Sequence, residues 1–153
     1  MWDAPSEIAL RLRAAAVAGM VLGLDRELHG KATGVRTLGL VALGAAMVAI
    51  AAAGLPELRG HPDGHSRVIQ GVIQGVMAGV GFIGAGVILR DPQGGRVKGM
   101  TTAANVWATA ALGVVFGLGE WVVGGIAFAI AFVLLVVVKQ VERRLLRDAG
   151  PHR

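Results

Sequence analysis

The 153-residue chain contains no cysteine, which excludes a disulfide framework and a thiolate metal site. Charge is scarce as well: 16% of residues are Asp, Glu, Lys or Arg, where a soluble domain carries about 25%. No Ser/His/Asp or Cys/His set and no P-loop glycine pattern is evident, so an enzyme is not expected. The net charge is +5, yet the basic residues form no recognised nucleic-acid motif or stripe, and no nucleic-acid partner is expected.

What remains is apolar. Hydrophobic residues make up 54% of the chain and the mean hydropathy is +0.64. This is a membrane composition, and the length suits one compact bundle. Residues 71–90, GVIQGVMAGVGFIGAGVILR, are the stretch around which the rest is expected to pack. They include Gly71, Gly75, Gly79, Gly81, Gly84 and Gly86, the first three at i, i+4 and i+8 on one helical face. Glycine weakens a soluble helix by roughly 1 kcal/mol relative to alanine. In a bilayer the backbone has no water to bond, so helix persists. The missing side chains then let a neighbouring helix come close. The expectation is a central, protein-buried transmembrane helix.

A spanning helix needs about 20 apolar residues. The expected fold is all-α, a compact bundle of about five transmembrane helices over residues 1–138, with a short basic cytoplasmic tail over 139–153. The spans are expected near Ile8–Leu24, 38–55, Val68–Leu89, Thr101–Leu118 and Trp121–Val138. Arg11 and Arg13 lie in the first, to snorkel at an interface or face the bundle interior. Residues 1–24 have the charged-then-apolar order of a signal peptide. Acids precede the arginines, however, and no small-x-small site ends the run, so a retained span is expected. Gly19 and Gly23 form a second small-xxx-small face.

The loops at 25–37 and 90–100 and the tail hold 11 of the 15 Lys and Arg residues. Basic excess marks the cytoplasmic side, which puts the N-terminus outside and the C-terminus inside. A weak internal repeat runs at an offset of 65 residues. Gly19, Gly34, Thr37, Val41 and Ala45 meet Gly84, Gly99, Thr102, Val106 and Ala110. Such a repeat implies two duplicated helical hairpins plus a fifth helix, with both basic loops on one side.

Polar candidates are few. In DRELHGKATGVRT (25–37), Asp25 and Glu27 could offer hard oxygen ligands to Mg²⁺, with Arg26 competing for them. Glu27 and Lys31 have the i, i+4 spacing of a helical ion pair. On the fourth span Thr101, Asn105 and Thr109 share a face, a packing contact or a polar track that Gln70 and Gln74 could extend. His61, Asp63 and His65 sit in a loop where Pro62 and Gly64 argue against the helix a His-x-x-x-His metal pair needs.

Four stretches together carry a resemblance: RLRAAAVAGMVLGLDRE (11–27), K-x-x-G-V-R-T (31–37), GVGFIGAGVILR (79–90) and VKGMTTAANVWATAALG (97–113). Their content and order resemble the MgtC/SapB family of bacterial inner-membrane proteins, over roughly residues 8–138. The acidic position that is often Glu in the family is Asp25 here, and Asn105 stands where Thr or Ser is common. The resemblance implies a multi-pass inner-membrane protein linked to magnesium homeostasis or low-magnesium adaptation. It implies no enzyme and no resident cofactor, with Mg²⁺ the only ligand suggested. The role implied is a regulator that acts on other membrane proteins, such as the membrane sector of ATP synthase; the glycine faces are expected to pack helices together, within a homodimer or against another membrane protein. The alternative is a small transporter or channel for Mg²⁺ or another small solute. Asp25, Arg26, Glu27, Lys31, Arg36, Arg90, Thr101 and Thr102 match the family's motif positions.

Overall fold

The computed structural model describes residues 4–28, 30, 33–56, 60–90 and 97–138. Lys31 and the 139–153 tail therefore lie outside the described residues. Five helices carry the fold: α1 (Pro5–Leu28), α2 (Val35–Ala53), α3 (Pro62–Gly86), α4 (Met100–Leu118) and α5 (Trp121–Phe132), the last continuing as a π-helical segment, Val133–Val138. A minimal antiparallel ladder, β1 (Leu89–Arg90) with β2 (Val97–Lys98), precedes α4.

Four of the helices are long and apolar enough to cross a membrane, counting α5 with its π segment. At 24 residues α1 is also long enough, although it carries Arg11 and Arg13 and ends in Asp25, Arg26 and Glu27.

Two helices begin earlier than their apolar runs suggest. Pro5 opens α1 and Pro62 opens α3, because proline's fixed φ suits a first turn whose N–H needs no partner. Pro62 thus starts a helix instead of excluding one. His61 becomes its N-cap, with Asp63 and His65 in or next to the first turn. Among the described residues no three His, Asp or Glu side chains are grouped so as to hold a metal ion.

The centre of the bundle is α2 with α1 and α4, not α3. Ala42, Ala45, Ala46 and Ala49 of α2 are buried, and glycines of both neighbours press on its backbone. A Cβ on Gly19 would overlap the Leu38 carbonyl, and one on Gly113 the Ala42 carbonyl. One on Gly117 would lie 2.8 Å from the Ala46 oxygen, and one on Gly23 2.7 Å from the Gly34 oxygen. Close approach works here because small residues face small residues. Gly124 seats α5 on the Phe116 ring, 2.7 Å from where its Cβ would be.

The expectation for the glycine-rich segment is thereby corrected. Only 11% of the α3 span is buried. Gly71, Gly75, Gly79, Gly81 and Gly86 meet nothing within 4 Å of a would-be Cβ, and Gly84 alone touches a neighbour, Ala103 at 3.5 Å. The alanine stripe of α2 already takes its close partners from α1 and α4, and α3 is left at the periphery.

The 65-residue repeat has a structural counterpart. Val35 and Met100 open α2 and α4, and Ala53 and Leu118 close them, each pair 65 residues apart. Gly34 and Gly99 are the matching N-caps. Gly19 packs on Leu38, and Gly84 on Ala103, at the same offset. Two helical hairpins of like direction, plus α5, make up the bundle.

Candidate functional site

The densest polar assembly lies where α1 ends and α4 begins. Arg26 is 5% exposed. Its Nε donates to the Thr33 hydroxyl at 3.1 Å and to the Thr33 carbonyl at 3.3 Å, and its Nη2 donates to the Thr102 hydroxyl. A planar guanidinium can serve both sides at once because its donors diverge in a fixed fork. Thr33 holds φ at +68° to meet it, an unusual conformation for a β-branched residue. The end of α1, the turn before α2 and the start of α4 are thereby tied together, so the two basic loops share one end of the bundle.

Glu27 turns away from Arg26. Its carboxylate accepts the Val35 N–H at 2.8 Å, and Gly34 leaves room for it, since a Cβ there would lie 2.6 Å from Oε2. Glu27 thus caps α2, where the positive end of the helix favours an anion. Asp25 is half-buried and is the charge neighbour of Arg26. Gly99 starts α4 at φ +92°, and a Cβ there would overlap the Val87 carbonyl. Only glycine suits both that φ and that approach.

From Thr102 a buried polar line runs along α4 through Asn105, 2% exposed, to Thr109, 0% exposed. Both polar atoms of Asn105 and the Thr109 hydroxyl have no hydrogen-bond partner. Thr101 is exposed, so the expected face passes through Thr102 instead. Thr102, not Thr101, meets Arg26 across the interface. Gln70 and Gln74 are exposed on α3 and do not extend the line.

At the opposite end, Arg11 faces the interior. Its Nε donates to Glu7 at 2.8 Å and its Nη1 to the Gly117 carbonyl at 3.2 Å. The cation sits at the C-terminus of α4, where free carbonyls collect. Arg13, two residues on, is exposed.

Of the motif residues, Arg26 and Thr102 meet directly and Glu27 stands next to them. Arg36 is exposed in the first turn of α2. Arg90 enters the backbone ladder opposite Val97. Thr33 and the Gly113-xxx-Gly117 pair were not singled out by sequence reasoning. The glycine spacing was visible; the Thr33 contact has no sequence signal.

Beside the bundle core, α2 and α3 diverge to leave an open groove of about 850 Å³. Leu40, Gly44 and Val48 line one wall and Gly75, Gly79 and Ile83 the other, with Arg36 and Thr37 at one end.

The MgtC family model matches residues 12–144. The protein SrpB of Synechococcus elongatus is 40% identical over 145 residues, covering 89% of this chain and 77% of SrpB. A putative magnesium transporter, YhiD, of Escherichia coli is 36% identical over 145 residues, 92% of this chain and 65% of YhiD. MgtC of Salmonella typhimurium is 38% identical over 112 residues, 73% of this chain and 44% of MgtC. The chain thus spans about two thirds of YhiD and under half of MgtC. No solved structure matches.

Proposed function

The chain belongs to the MgtC family, and from that premise we propose that it is a non-enzymatic regulator in the bacterial inner membrane, linked to magnesium homeostasis. It acts by binding other membrane proteins, a second copy of itself or the membrane sector of ATP synthase among them. The basic end faces the cytoplasm, following the distribution of Lys and Arg.

One observation carries the reading: the charged pair at the end of α1, Arg26 and Glu27, is already engaged within the chain. Arg26 bonds Thr33 and Thr102, and the Glu27 carboxylate bonds the α2 backbone. A carrier needs such groups free to face its cargo along a path, whereas here glycine-to-backbone contacts close the bundle around Asn105 and Thr109. Magnesium then enters as a condition to which the protein responds. Cross-linking and co-purification from native membranes test this. Repeated recovery with no stable partner, its own copy included, would count against it.

A second reading, a small carrier for Mg²⁺ or another solute, draws support from the three unpartnered polar atoms of Asn105 and Thr109, since buried polar groups are rarely left unbonded. Flux into liposomes separates the two. Transport above empty vesicles that is lost in Asn105→Ala would favour the carrier.

A further inference from the structure

We propose that the groove between α2 and α3 is a binding site for one anionic phospholipid, with Arg36 holding the headgroup phosphate and the groove holding an acyl chain. The inference is independent of the regulator-or-carrier question.

The internal repeat makes the groove conspicuous. Its lining residues Thr37, Leu40 and Gly44 occupy the positions, 65 residues earlier, of Thr102, Asn105 and Thr109. Those three α4 residues are all buried. The equivalent face of α2 is open, with Leu40 67% exposed. One half of the molecule has its seat filled by protein, and the other presents the same seat to the bilayer.

The shape fits a chain lying along a helix. From Arg36 to Val48 the α2 wall rises about 18 Å, close to the depth of one leaflet, about 15 Å of hydrocarbon. Gly44 on one wall and Gly75 and Gly79 on the other face open space, with nothing within 4 Å of a would-be Cβ. Below the mouth the lining is aliphatic and suits a hydrocarbon tail.

The charge lies at the correct end. Arg36 is exposed at the mouth, and among the described residues it forms no ion pair. A guanidinium matches a phosphate in two-point geometry. Basic pockets between transmembrane helices on the cytoplasmic side bind anionic headgroups. A zwitterionic lipid would satisfy the tail but gain less at the mouth.

Native mass spectrometry of the full chain tests the site, with delipidated protein titrated with phosphatidylglycerol or phosphatidylcholine. Wild type should retain phosphatidylglycerol preferentially, by about fivefold for one arginine near the surface. Arg36→Gln should bring the two lipids to parity, whereas Arg13→Gln, exposed at the other end, should keep the preference. Gly44→Leu fills the groove and should lower occupancy by both lipids. Far-UV circular dichroism checks that each variant keeps its helices, and Gly79→Leu, from the facing wall, repeats the test should Gly44→Leu fail to fold. Preference unchanged in Arg36→Gln, or undiminished occupancy in the filled groove, would overturn the proposal. So would a groove variant that shifts only the monomer–dimer ratio, since the occupant would then be a second copy.

Discussion

Arg26 of α1 and Thr102 of α4, 76 residues apart in sequence, are joined by a buried hydrogen bond. The same guanidinium holds Thr33. Three chain segments at the basic end therefore depend on one side chain. Arg26→Lys keeps the charge but loses the fork, and leaves threonine oxygens without donors. A hydrogen bond to a charged group contributes about 1.5–3 kcal/mol. Arg26→Lys should lower the unfolding free energy by about that amount, and Thr102→Val by less, in detergent unfolding followed by Trp fluorescence. A double-mutant cycle should show coupling between 26 and 102, and none between 26 and the exposed Thr101.

Glycines should divide by location, not by number. Gly113→Ala sets a methyl against the Ala42 carbonyl, with backbone on both sides and nothing flexible to yield. Overpacking of that kind costs about 1–3 kcal/mol. Gly75→Ala meets open space and should change stability by no more than about 0.5 kcal/mol. Thermal unfolding of the two variants side by side checks the contrast.

That contrast marks where sequence reading succeeded and where it stopped. Five helices, their order and the duplicated hairpins follow from apolar run lengths and from the offset between Gly34 and Gly99. Which helix lies at the centre does not. Glycine spacing in α3 and in α4 looks alike in sequence, but close packing also requires a small partner, and Ala42 and Ala46 face Gly113 and Gly117. Arg26 was legible as a motif residue. Its partners were not, since Thr33 and Thr102 meet it only through tertiary packing.

Arg11 should matter more than Arg13. The first bonds the Gly117 carbonyl at the end of α4, and a cation at a partly buried helix C-terminus contributes up to about 2 kcal/mol. Arg11→Leu should lower stability by about 1–2 kcal/mol, and Arg13→Leu should leave it nearly unchanged. Unfolding in detergent measures both.

Divalent cations should not govern the fold. Glu27 is committed to the Val35 N–H, and Asp25 lies beside Arg26. A resident ion at a hundred times its Kd would stabilise the folded state by about 2.7 kcal/mol. EDTA should therefore leave the Tm where it is, and adding Mg²⁺ should not raise it above a matched ionic-strength control. A saturating rise abolished by Asp25→Asn would contradict this.

Asn105 and Thr109 separate structure from transport. Both side chains are buried without partners, and leaving a buried polar group unbonded costs about 1–3 kcal/mol. A protein selected only for stability would place apolar residues of similar volume at these buried positions. Asn105→Leu and Thr109→Val should each leave stability unchanged or raise it, by up to that cost. For a regulator, partner binding should survive both substitutions, because neither side chain reaches the surface. For a carrier, flux should fall in step with the gain in stability, because the same unpartnered groups would be the cargo's ligands. Measuring Tm, partner recovery and flux on these two variants discriminates between the roles: stable variants with intact partner binding support the regulator, and stable variants that have lost measurable flux support the carrier.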